Sequence, residues 1–327
     1  MSLRIGILGA ARIARGGLVA PAKQIPDAQI VAIAARDVDR ARTFAQQYAI
    51  PRVLESYDAL VNDPELDAIY NPLPNSLHYE WTIKALRAGK HVLCEKPLAS
   101  NAREAEEMAR AADEVGRVLM EAFHYRYHPQ MLRVQEIIAS GEIGAVREIE
   151  ADLFIPLFLR LNDIRFQYHL AGGATMDTGC YCINFIRCIG GGELQVLRAH
   201  ARCLSPQVDR LMRAEFRFDN SIHARMGCSL AAFPPVKSFA RVRGDAGELK
   251  IFNPFVPQFL NRVVVKTNRG ERQESFTREP SYYFQLRAFV DAVHGENTNR
   301  TDGHDGARNM RVIDEVYTKA GLKPRAT

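Results

Sequence analysis

Cysteine and tryptophan are scarce in this sequence, and long apolar runs are absent. The 327 residues include one tryptophan and six cysteines, none of them in a CxxC pair, at positions 94, 180, 182, 188, 203 and 228. No stretch reaches the ~18 apolar residues of a membrane-spanning helix, and MSLRIGILGAARIARGG lacks the apolar core of a secretion signal. We therefore expect reduced, mostly buried thiols and a cytoplasmic location.

The sequence also lacks an excess of charge of one sign. Basic residues number 43 and acidic residues 38, and no run reaches five like charges, so neither a nucleic acid nor a membrane surface is an expected partner. Hydrophobic residues make up 47 % and charged residues 25 %, which excludes disordered, collagen-like and coiled-coil chains. The length suits about two domains at roughly 150 residues each.

The first 122 residues predict a doubly wound α/β domain. Apolar runs without period-two alternation indicate strands covered on both faces, at LRIGIL, IVAIAA, AIYN, HVLC and VLME. Helical patterns lie between them. Asp37 is suited to cap VDRARTFAQQY, and Asn101 with Glu104 resembles a capping box.

Residues 123–327 predict an α+β domain with a large, mostly antiparallel open sheet. Several strand-like segments alternate polar with apolar residues, which is typical of a sheet with two different faces: REIEADLF, LQVLRAHARCL, RLMRAEFRFD, SIHARMGCSL, FARVRG and RVVVKTN. Helical patterns near 282–294 and 304–320 follow. We expect a dinucleotide-binding domain at 1–122 and a substrate-binding and oligomerisation domain at 123–327.

A candidate dinucleotide site follows the first strand. Gly9 opens a G-x-G-x-x-G-like turn in which alanine replaces the second and third glycines, and the candidate contacts are Gly9, Ala11, Arg12 and Ile13. A tight turn into a helix N-terminus presents free N–H groups to a pyrophosphate. The motif is weak by itself, and an ordinary strand-to-helix turn is the alternative.

The end of the second strand favours NADP over NAD. An NAD site carries an acidic residue there for the ribose 2′-hydroxyl, whereas this chain has Ala35, Arg36 and then Arg40. Guanidinium groups suit a 2′-phosphate. Asp37 could still face the ribose, which leaves NAD possible, but capping the helix is the preferred interpretation.

Two further segments lie at carboxyl ends of strands, where open α/β sheets bind ligands. The loop that follows AIYN supplies candidate cofactor contacts at Leu73, Pro74, Asn75 and His78. The HVLC strand ends in Glu95-Lys96-Pro97. A lysine at the edge of a dry crevice can take part in proton transfer, and Pro97 permits a cis bond that fixes its direction, although a surface ion pair is the plainer interpretation.

The ordered set of motifs resembles the Gfo/Idh/MocA oxidoreductases. The matching segments are GILGAARIA, LPNSLH, GKHVLCEKPLA, EAFHYRYHP and GGATMDTGCYCIN. The resemblance implies a Rossmann domain, a second domain with an open sheet, a nicotinamide between them, and dimers or tetramers associated through the sheets. Lys96 matches the EKP lysine and Asp177 the acidic residue of the second motif. Tyr181 is typical of the NADP-linked branch that contains D-xylose dehydrogenase, dimeric dihydrodiol dehydrogenase and glucose–fructose oxidoreductase.

The expected chemistry is hydride transfer to or from a CH–OH group of a carbohydrate-like small molecule. Tyr181 is the candidate acid/base, Lys96 would stabilise its phenolate, and Asp177 would orient Lys96. Asp177 and Tyr181 share a face if a helix begins near them. Family position adds Glu95, Arg126, Arg165 and Tyr282 as candidate contacts, each with packing or surface exposure as the alternative.

Three other hypotheses remain open. His124 and His128 are spaced for zinc on a helix, but Pro129 follows and no further ligand has suitable spacing, so no metal is expected. Some relatives keep the nicotinamide bound and carry out redox-neutral glycoside cleavage or sugar–sugar oxidoreduction. A non-catalytic NADP sensor would not need both Lys96 and Tyr181. Alanine at 171, where relatives have glycine, and Gln167 and His169 nearby leave the substrate unassigned.

Overall fold

The chain folds into two units, and its path between them is not linear. The structure, a computed structural model, describes residues 2–157, 163–231 and 236–325. One unit contains residues 1–124 and 282–307, and the other contains residues 125–281 and 308–327. Residues 282–307 belong to the first unit, so the two units do not correspond to a single division of the chain at 122/123. The functional roles of the two domains stay predictions.

The first unit contains a six-stranded parallel sheet in the order β3-β2-β1-β4-β5-β6. The strands are β1 (Leu3–Leu8), β2 (Ala28–Ala34), β3 (Arg52–Leu54), β4 (Ala68–Asn71), β5 (His91–Cys94) and β6 (Leu119–Glu121). All residues of β4 are buried because helices cover both faces of the sheet, which explains its unbroken apolar run. The predicted Rossmann architecture is confirmed, and β3 is an additional strand.

Helices connect these strands. They are α1 (Arg12–Ala14), α2 (Ala20–Ala22), α3 (Val38–Tyr48), α4 (Tyr57–Val61), α5 (His78–Arg87) and α6 (Ala102–Val115), and a π-helical turn, Arg15–Val19, joins α1 to α2. The Asp37 carboxylate accepts hydrogen bonds from the backbone of Asp39 and Arg40. Asn101 accepts one from Glu104 N. Both predicted caps are therefore confirmed.

The second unit contains an eight-stranded sheet in the order β14-β13-β12-β11-β7-β10-β9-β8. Its strands are β7 (Val146–Phe154), β8 (Leu194–Ser205), β9 (Val208–Phe218), β10 (His223–Ser229), β11 (Lys237–Gly244), β12 (Gly247–Phe252), β13 (Arg262–Thr267) and β14 (Gly270–Glu274). The β7–β10 pair is parallel and the other pairs are antiparallel. The predicted mostly antiparallel sheet is confirmed, with β12 and β14 in addition.

The remaining helices are α7 (Pro129–Ala139), α8 (Cys180–Gly190), α9 (Ser281–Val293) and α10 (Gly303–Lys319). Helix α8 packs on β7 and β10. Strand β9 shows the resulting division of the sheet: Phe216 and Phe218 are buried, while Arg217 between them is exposed. Period-two alternation therefore separates a core face from an open, charged face. In the described ranges, no helix combines the length and apolar character needed to cross a membrane.

Candidate functional site

The turn after β1 has the geometry that a dinucleotide phosphate requires. Gly9 has φ 83°, and a Cβ there would lie 3.0 Å from Leu73 Cδ2, so a side chain would be both strained and crowded. Its N–H donates to Ala34 O over 2.7 Å. Arg12 and Ile13 in the following helical turn are exposed. Since N–H groups of a first helical turn lack intrahelical acceptors, this turn fits a pyrophosphate.

The end of β2 presents cationic donors. The side chains of Arg36 and Arg40 are exposed, and Arg40 Nη2 lies 3.4 Å from Ala10 O in the turn after Gly9. The Asp37 carboxylate is already an acceptor for two backbone N–H groups of α3. This chemistry fits a 2′-phosphate better than a free 2′-hydroxyl. Sequence reasoning missed Tyr57, whose hydroxyl oxygen accepts the Arg36 N–H over 3.3 Å.

His78 ties together the two predicted cofactor segments. It is only 1 % exposed, and its ring nitrogens lie 2.8 Å from Leu73 O and 2.8 Å from Pro97 O. Burial lowers the pKa of His78 to about 4. The hydrogen bonds to the two carbonyl oxygens act in the opposite direction and raise this pKa, but burial is the larger effect. The Lys96–Pro97 bond is cis. The His78 ring therefore links the backbone of the loop at Leu73 to the backbone at Pro97. Pro74 and Asn75, in the same loop, are partly exposed.

Glu95 lies at the carboxyl end of β5 beside a buried tyrosine. Tyr70 OH donates to Glu95 Oε1 over 2.7 Å, and burial followed by the nearby Glu95 charge raises the pKa of Tyr70. Lys96, the next residue after Glu95, is partly exposed. Tyr282 packs its ring against His124 with centroids 4.0 Å apart. Tyr70 was hidden from sequence reasoning because it stands inside an apolar strand pattern.

Tyr181 lies in the first turn of α8, in an aromatic environment. It is 8 % exposed, and its ring centroid lies 5.9 Å from that of Tyr125 and 5.6 Å from that of Phe255. Asn184 Oδ1, one turn further along α8, accepts from Tyr125 OH over 2.7 Å and from Arg126 Nη1 over 3.2 Å. The hydrogen bond from Tyr125 to Asn184 holds the Tyr125 ring in place beside Tyr181. Arg126 also has a structural partner, Asn184, in its own unit.

Asp177 is paired with Arg165. It lies in a π-helical turn, Thr175–Gly179, which leads directly into α8. Arg165 Nε is 2.9 Å from Asp177 Oδ2, and Arg165 Nη1 is 3.0 Å from Asp163 Oδ1. The Asp177 charge raises the pKa of Arg165 against the cost of burial. Sequence reasoning missed this pair because residues 163–174 have no periodic pattern.

The two histidines weighed as zinc ligands have other contacts. The His124 ring packs on Tyr282, and His128 Nδ1 accepts the Gln130 N–H over 3.1 Å as the N-cap of α7. Among the residues that the structure describes, no group of three His, Cys, Asp or Glu side chains is arranged to hold a metal ion.

The predicted site residues divide between the two units. The first unit contains Gly9, Ala11, Arg12, Ile13, Arg36, Arg40, Leu73, Pro74, Asn75, His78, Glu95, Lys96 and Tyr282. The second contains Arg126, Arg165, Asp177 and Tyr181. Within each unit the structure brings neighbouring members together: Gly9 with Leu73, and Arg165 with Asp177. Their roles toward cofactor and substrate stay predictions.

Family models match both units of this chain. Residues 3–123 match the GFO/IDH/MocA model described as an oxidoreductase family with an NAD-binding Rossmann fold. Residues 131–250 match the GFO/IDH/MocA C-terminal domain. Together these matches extend over most of the chain.

Relatives with named activities match over three quarters of this chain or more. D-xylose 1-dehydrogenase (NADP(+)) 2 from Haloferax volcanii is 35 % identical over 97 % of both chains. Trans-1,2-dihydrobenzene-1,2-diol dehydrogenase from Danio rerio is 36 % identical over 77 % of this chain and 75 % of its own. A 3-ketoreductase from Actinomadura kijaniata, solved with NADP and TDP-benzene, has a TM-score of 0.89 and 30 % identity over 99 % of this chain and 98 % of its own. The protein with the Gly9 turn, the Lys96 strand end and Tyr181 on α8 therefore belongs to the Gfo/Idh/MocA family of NAD(P)-dependent oxidoreductases.

Proposed function

We propose that this protein is an NADP-dependent dehydrogenase or reductase acting on a CH–OH or carbonyl group of a sugar, diol or related small polyol. The observation that carries the choice of cofactor is the donor set after β2, where Arg36 and Arg40 are exposed and Asp37 is engaged as a helix cap. The D-xylose and dihydrodiol dehydrogenases among its relatives support the substrate class.

The first unit would hold the cofactor. The turn after Gly9 would bind the pyrophosphate through its backbone N–H groups, and Arg36 with Arg40 would bind the 2′-phosphate. When bound, NADP⁺ would supply the two-electron acceptor for a hydride from the alcohol carbon, which leaves the hydroxyl proton to a residue of the protein and yields a carbonyl. The remaining proposed contacts are Ala11, Arg12, Ile13, Leu73, Pro74, Asn75, His78, Glu95, Lys96, Arg126, Arg165 and Tyr282.

The second unit would supply proton transfer. Tyr181 is the only group we assign to the substrate oxygen: its phenolate takes the hydroxyl proton during oxidation, and its phenol returns it during reduction. The Lys96 ammonium stabilises the phenolate, and Asp177 orients that ammonium. The aromatic rings of Tyr125 and Phe255 hold the phenol in place and limit its contact with water.

We also propose a homodimer or homotetramer in the cytoplasm. The open face of the eight-stranded sheet carries the partly exposed rings of Phe239 and Phe252, with centroids 5.7 Å apart, among charged side chains. Such a mixed aromatic and charged surface suits association between copies. All six cysteines lie in described segments and none of them forms a disulfide there, which supports a reducing compartment. Light scattering of the purified protein measures the oligomeric state.

Deuterium transfer tests the proposed reaction. After an absorbance spectrum of the purified protein, candidate aldoses and diols are incubated with NADP⁺, and candidate aldoses and dicarbonyls with NADPH that carries deuterium at both C4 positions of the nicotinamide. We expect NADPH formation in the first case and, in the second, one deuterium on the reduced carbon of the product, observed by mass spectrometry. A reduced product without deuterium, or no product from any compound, would overturn the proposal. A nicotinamide that co-purifies and never exchanges would instead identify a redox-neutral enzyme.

A further inference from the structure

A buried ionic cluster lies behind the segment that carries Asp177 and precedes Tyr181. Its centre is Asp209 on β9, with Tyr317 on α10 and Arg325 in the segment after α10. Asp209 Oδ1 accepts from Tyr317 OH over 2.9 Å and from Arg325 Nη2 over 3.2 Å. Asp209 and Tyr317 are wholly buried and Arg325 is 1 % exposed. A charge pair this deep is not explained by the proposed proton transfer.

The cluster is hydrogen-bonded to the backbone on both sides of Gly173, at Gly172 and at Thr175. Asp209 Oδ2 accepts from Thr175 N and from Thr175 Oγ1, both over 2.7 Å. Arg325 Nε donates to Gly172 O over 2.9 Å. Gly173 has φ 140°, and a Cβ there would lie 2.2 Å from Asp209 Oδ1. The glycine therefore allows the cluster to touch the main chain directly.

The backbone at residues 172–175 leads without a break to Asp177 and Tyr181. Gly173 O accepts the Asp177 N–H over 3.0 Å, so the turn that contains Thr175 also contains Asp177. Tyr181 follows one turn later in α8. Any shift at Thr175 is passed along this short helical stretch to both side chains.

We infer that Asp209 and Arg325 are positioning residues that hold Asp177 and Tyr181 in register through the backbone of Gly172, Gly173 and Thr175. The inference rests on the proposed function of Asp177 and Tyr181. Arg325 makes two kinds of contact at once: one guanidinium nitrogen pairs with Asp209 and another donates to Gly172 O. Lysine at position 325 would keep the positive charge but lacks the forked guanidinium group. Arg325→Lys therefore tests positioning separately from charge balance.

The test compares Arg325→Lys and Arg325→Met with Arg133→Met. Arg133 is the matched control because it pairs with Glu274 in the same unit and touches none of the tethered residues. With D-xylose or the best panel compound, we expect Arg325→Met to lower kcat by about 10- to 100-fold and Arg325→Lys by less, since misplacement by ~1 Å costs that much. The KM for NADP⁺ should stay unchanged, and deuterium at the oxidised carbon should slow kcat more in the variants than in the wild type.

Each outcome decides the inference. A purely structural role would reduce the fraction of folded enzyme, which lowers kcat without changing the isotope effect, and that result would overturn positioning. If Arg325→Met does not fold, Arg325→Lys is compared with Arg133→Met in the same way. If Tyr181→Phe is inactive while Arg325→Lys and Arg325→Met are fully active, the positioning inference is wrong and the proposed function stands. If Tyr181→Phe is fully active, the proposed function is wrong.

Hydrogen exchange gives a readout that needs no substrate. We expect the amides of residues 173–181 to exchange faster in Arg325→Lys than in the wild type or Arg133→Met, while the β9 and α10 amides change little. Unchanged exchange in that segment, or faster exchange throughout the second unit, would contradict a local tether.

Discussion

Arg165 lies 2.9 Å from the carboxylate of Asp177, so the residue proposed to orient Lys96 has a cationic partner within its own unit. The pair is only partly shielded, with side-chain exposures of 37 % and 15 %. The ion pair with Arg165 thus constrains the Asp177 carboxylate in the absence of a ligand. This makes Arg165 a residue that sets the direction of Asp177 in the free protein.

Replacing Arg165 should therefore lower turnover more than replacing an ordinary surface arginine. We expect Arg165→Met to reduce kcat/KM for the polyol by about tenfold, the equivalent of one charge-assisted hydrogen bond. Steady-state kinetics of Arg147→Met provide the control, because Arg147 pairs with Asp245 on the exposed surface of the same unit. Equal losses in both variants would show that Asp177 does not depend on Arg165.

Arg36 should determine the preference for NADP. Arg36→Ala removes a guanidinium group from the end of β2, and we expect the dissociation constant for NADPH to rise by about 10- to 100-fold while that for NADH changes little. Calorimetric titration measures both. Arg42→Ala is the matched control, since Arg42 lies on α3 and pairs with Asp39. Equal weakening of NADPH and NADH by Arg36→Ala would contradict recognition of the 2′-phosphate.

His128 should make the protein less stable in mild acid. Burial lowers its pKa from 6.5 to about 4, and its Nδ1 accepts the Gln130 N–H only when unprotonated. The unfolded chain therefore binds more protons than the folded chain between about pH 6.5 and pH 4, and the free energy of unfolding falls as the pH falls through that window. At pH 5 this amounts to about 2 kcal/mol.

Urea unfolding of His128→Asn checks this contribution. Asparagine keeps an N-cap acceptor for α7 but does not titrate. We expect the difference in unfolding free energy between pH 7 and pH 5 to shrink by about 2 kcal/mol relative to the wild type. His304→Asn serves as control because His304 is exposed on α10. An unchanged pH dependence in His128→Asn would show that this histidine is not the titrating group.

His78 should affect cofactor binding through the backbone that it joins. His78→Phe keeps a planar ring but removes both 2.8 Å contacts to Leu73 O and Pro97 O. We expect the dissociation constant for NADPH to rise by about tenfold, because the loop and the Lys96 turn lose their common support. His304→Phe should bind NADPH like the wild type. Wild-type affinity in a folded His78→Phe would contradict this positioning role.

Much of the fold could be predicted because burial determines the residue pattern of its strands. Runs such as AIYN are apolar throughout since helices cover both faces of the parallel sheet. Strand β12 was missed because Gly247, which begins it, resembles part of a turn. The return of residues 282–307 to the first unit could not be predicted, since an amphipathic helix does not specify which sheet it covers.

The site was predictable where short motifs carry the chemistry and not where distant residues meet. Asp37 as a cap followed from its position before α3. Asp209 and Arg325 are 116 positions apart, and no local pattern relates them. The expectation that Asp177 and Tyr181 share a face depended on regular α-helical spacing, whereas Asp177 lies in a π-helical turn and Tyr181 in α8. Proximity in such cases depends on the tertiary fold.

The most direct test of the central claim is turnover by Tyr181→Phe. NADP⁺ reduction with the panel of aldoses and diols is followed for the wild type, Tyr181→Phe and Tyr79→Phe, a control whose hydroxyl donates to Glu107 on α6. We predict that Tyr181→Phe loses about 10²- to 10⁴-fold in kcat with NADP⁺ affinity nearly intact, and that Tyr79→Phe matches the wild type. Wild-type turnover in Tyr181→Phe, or loss of turnover and cofactor binding together, would contradict the assignment of Tyr181 as the acid/base.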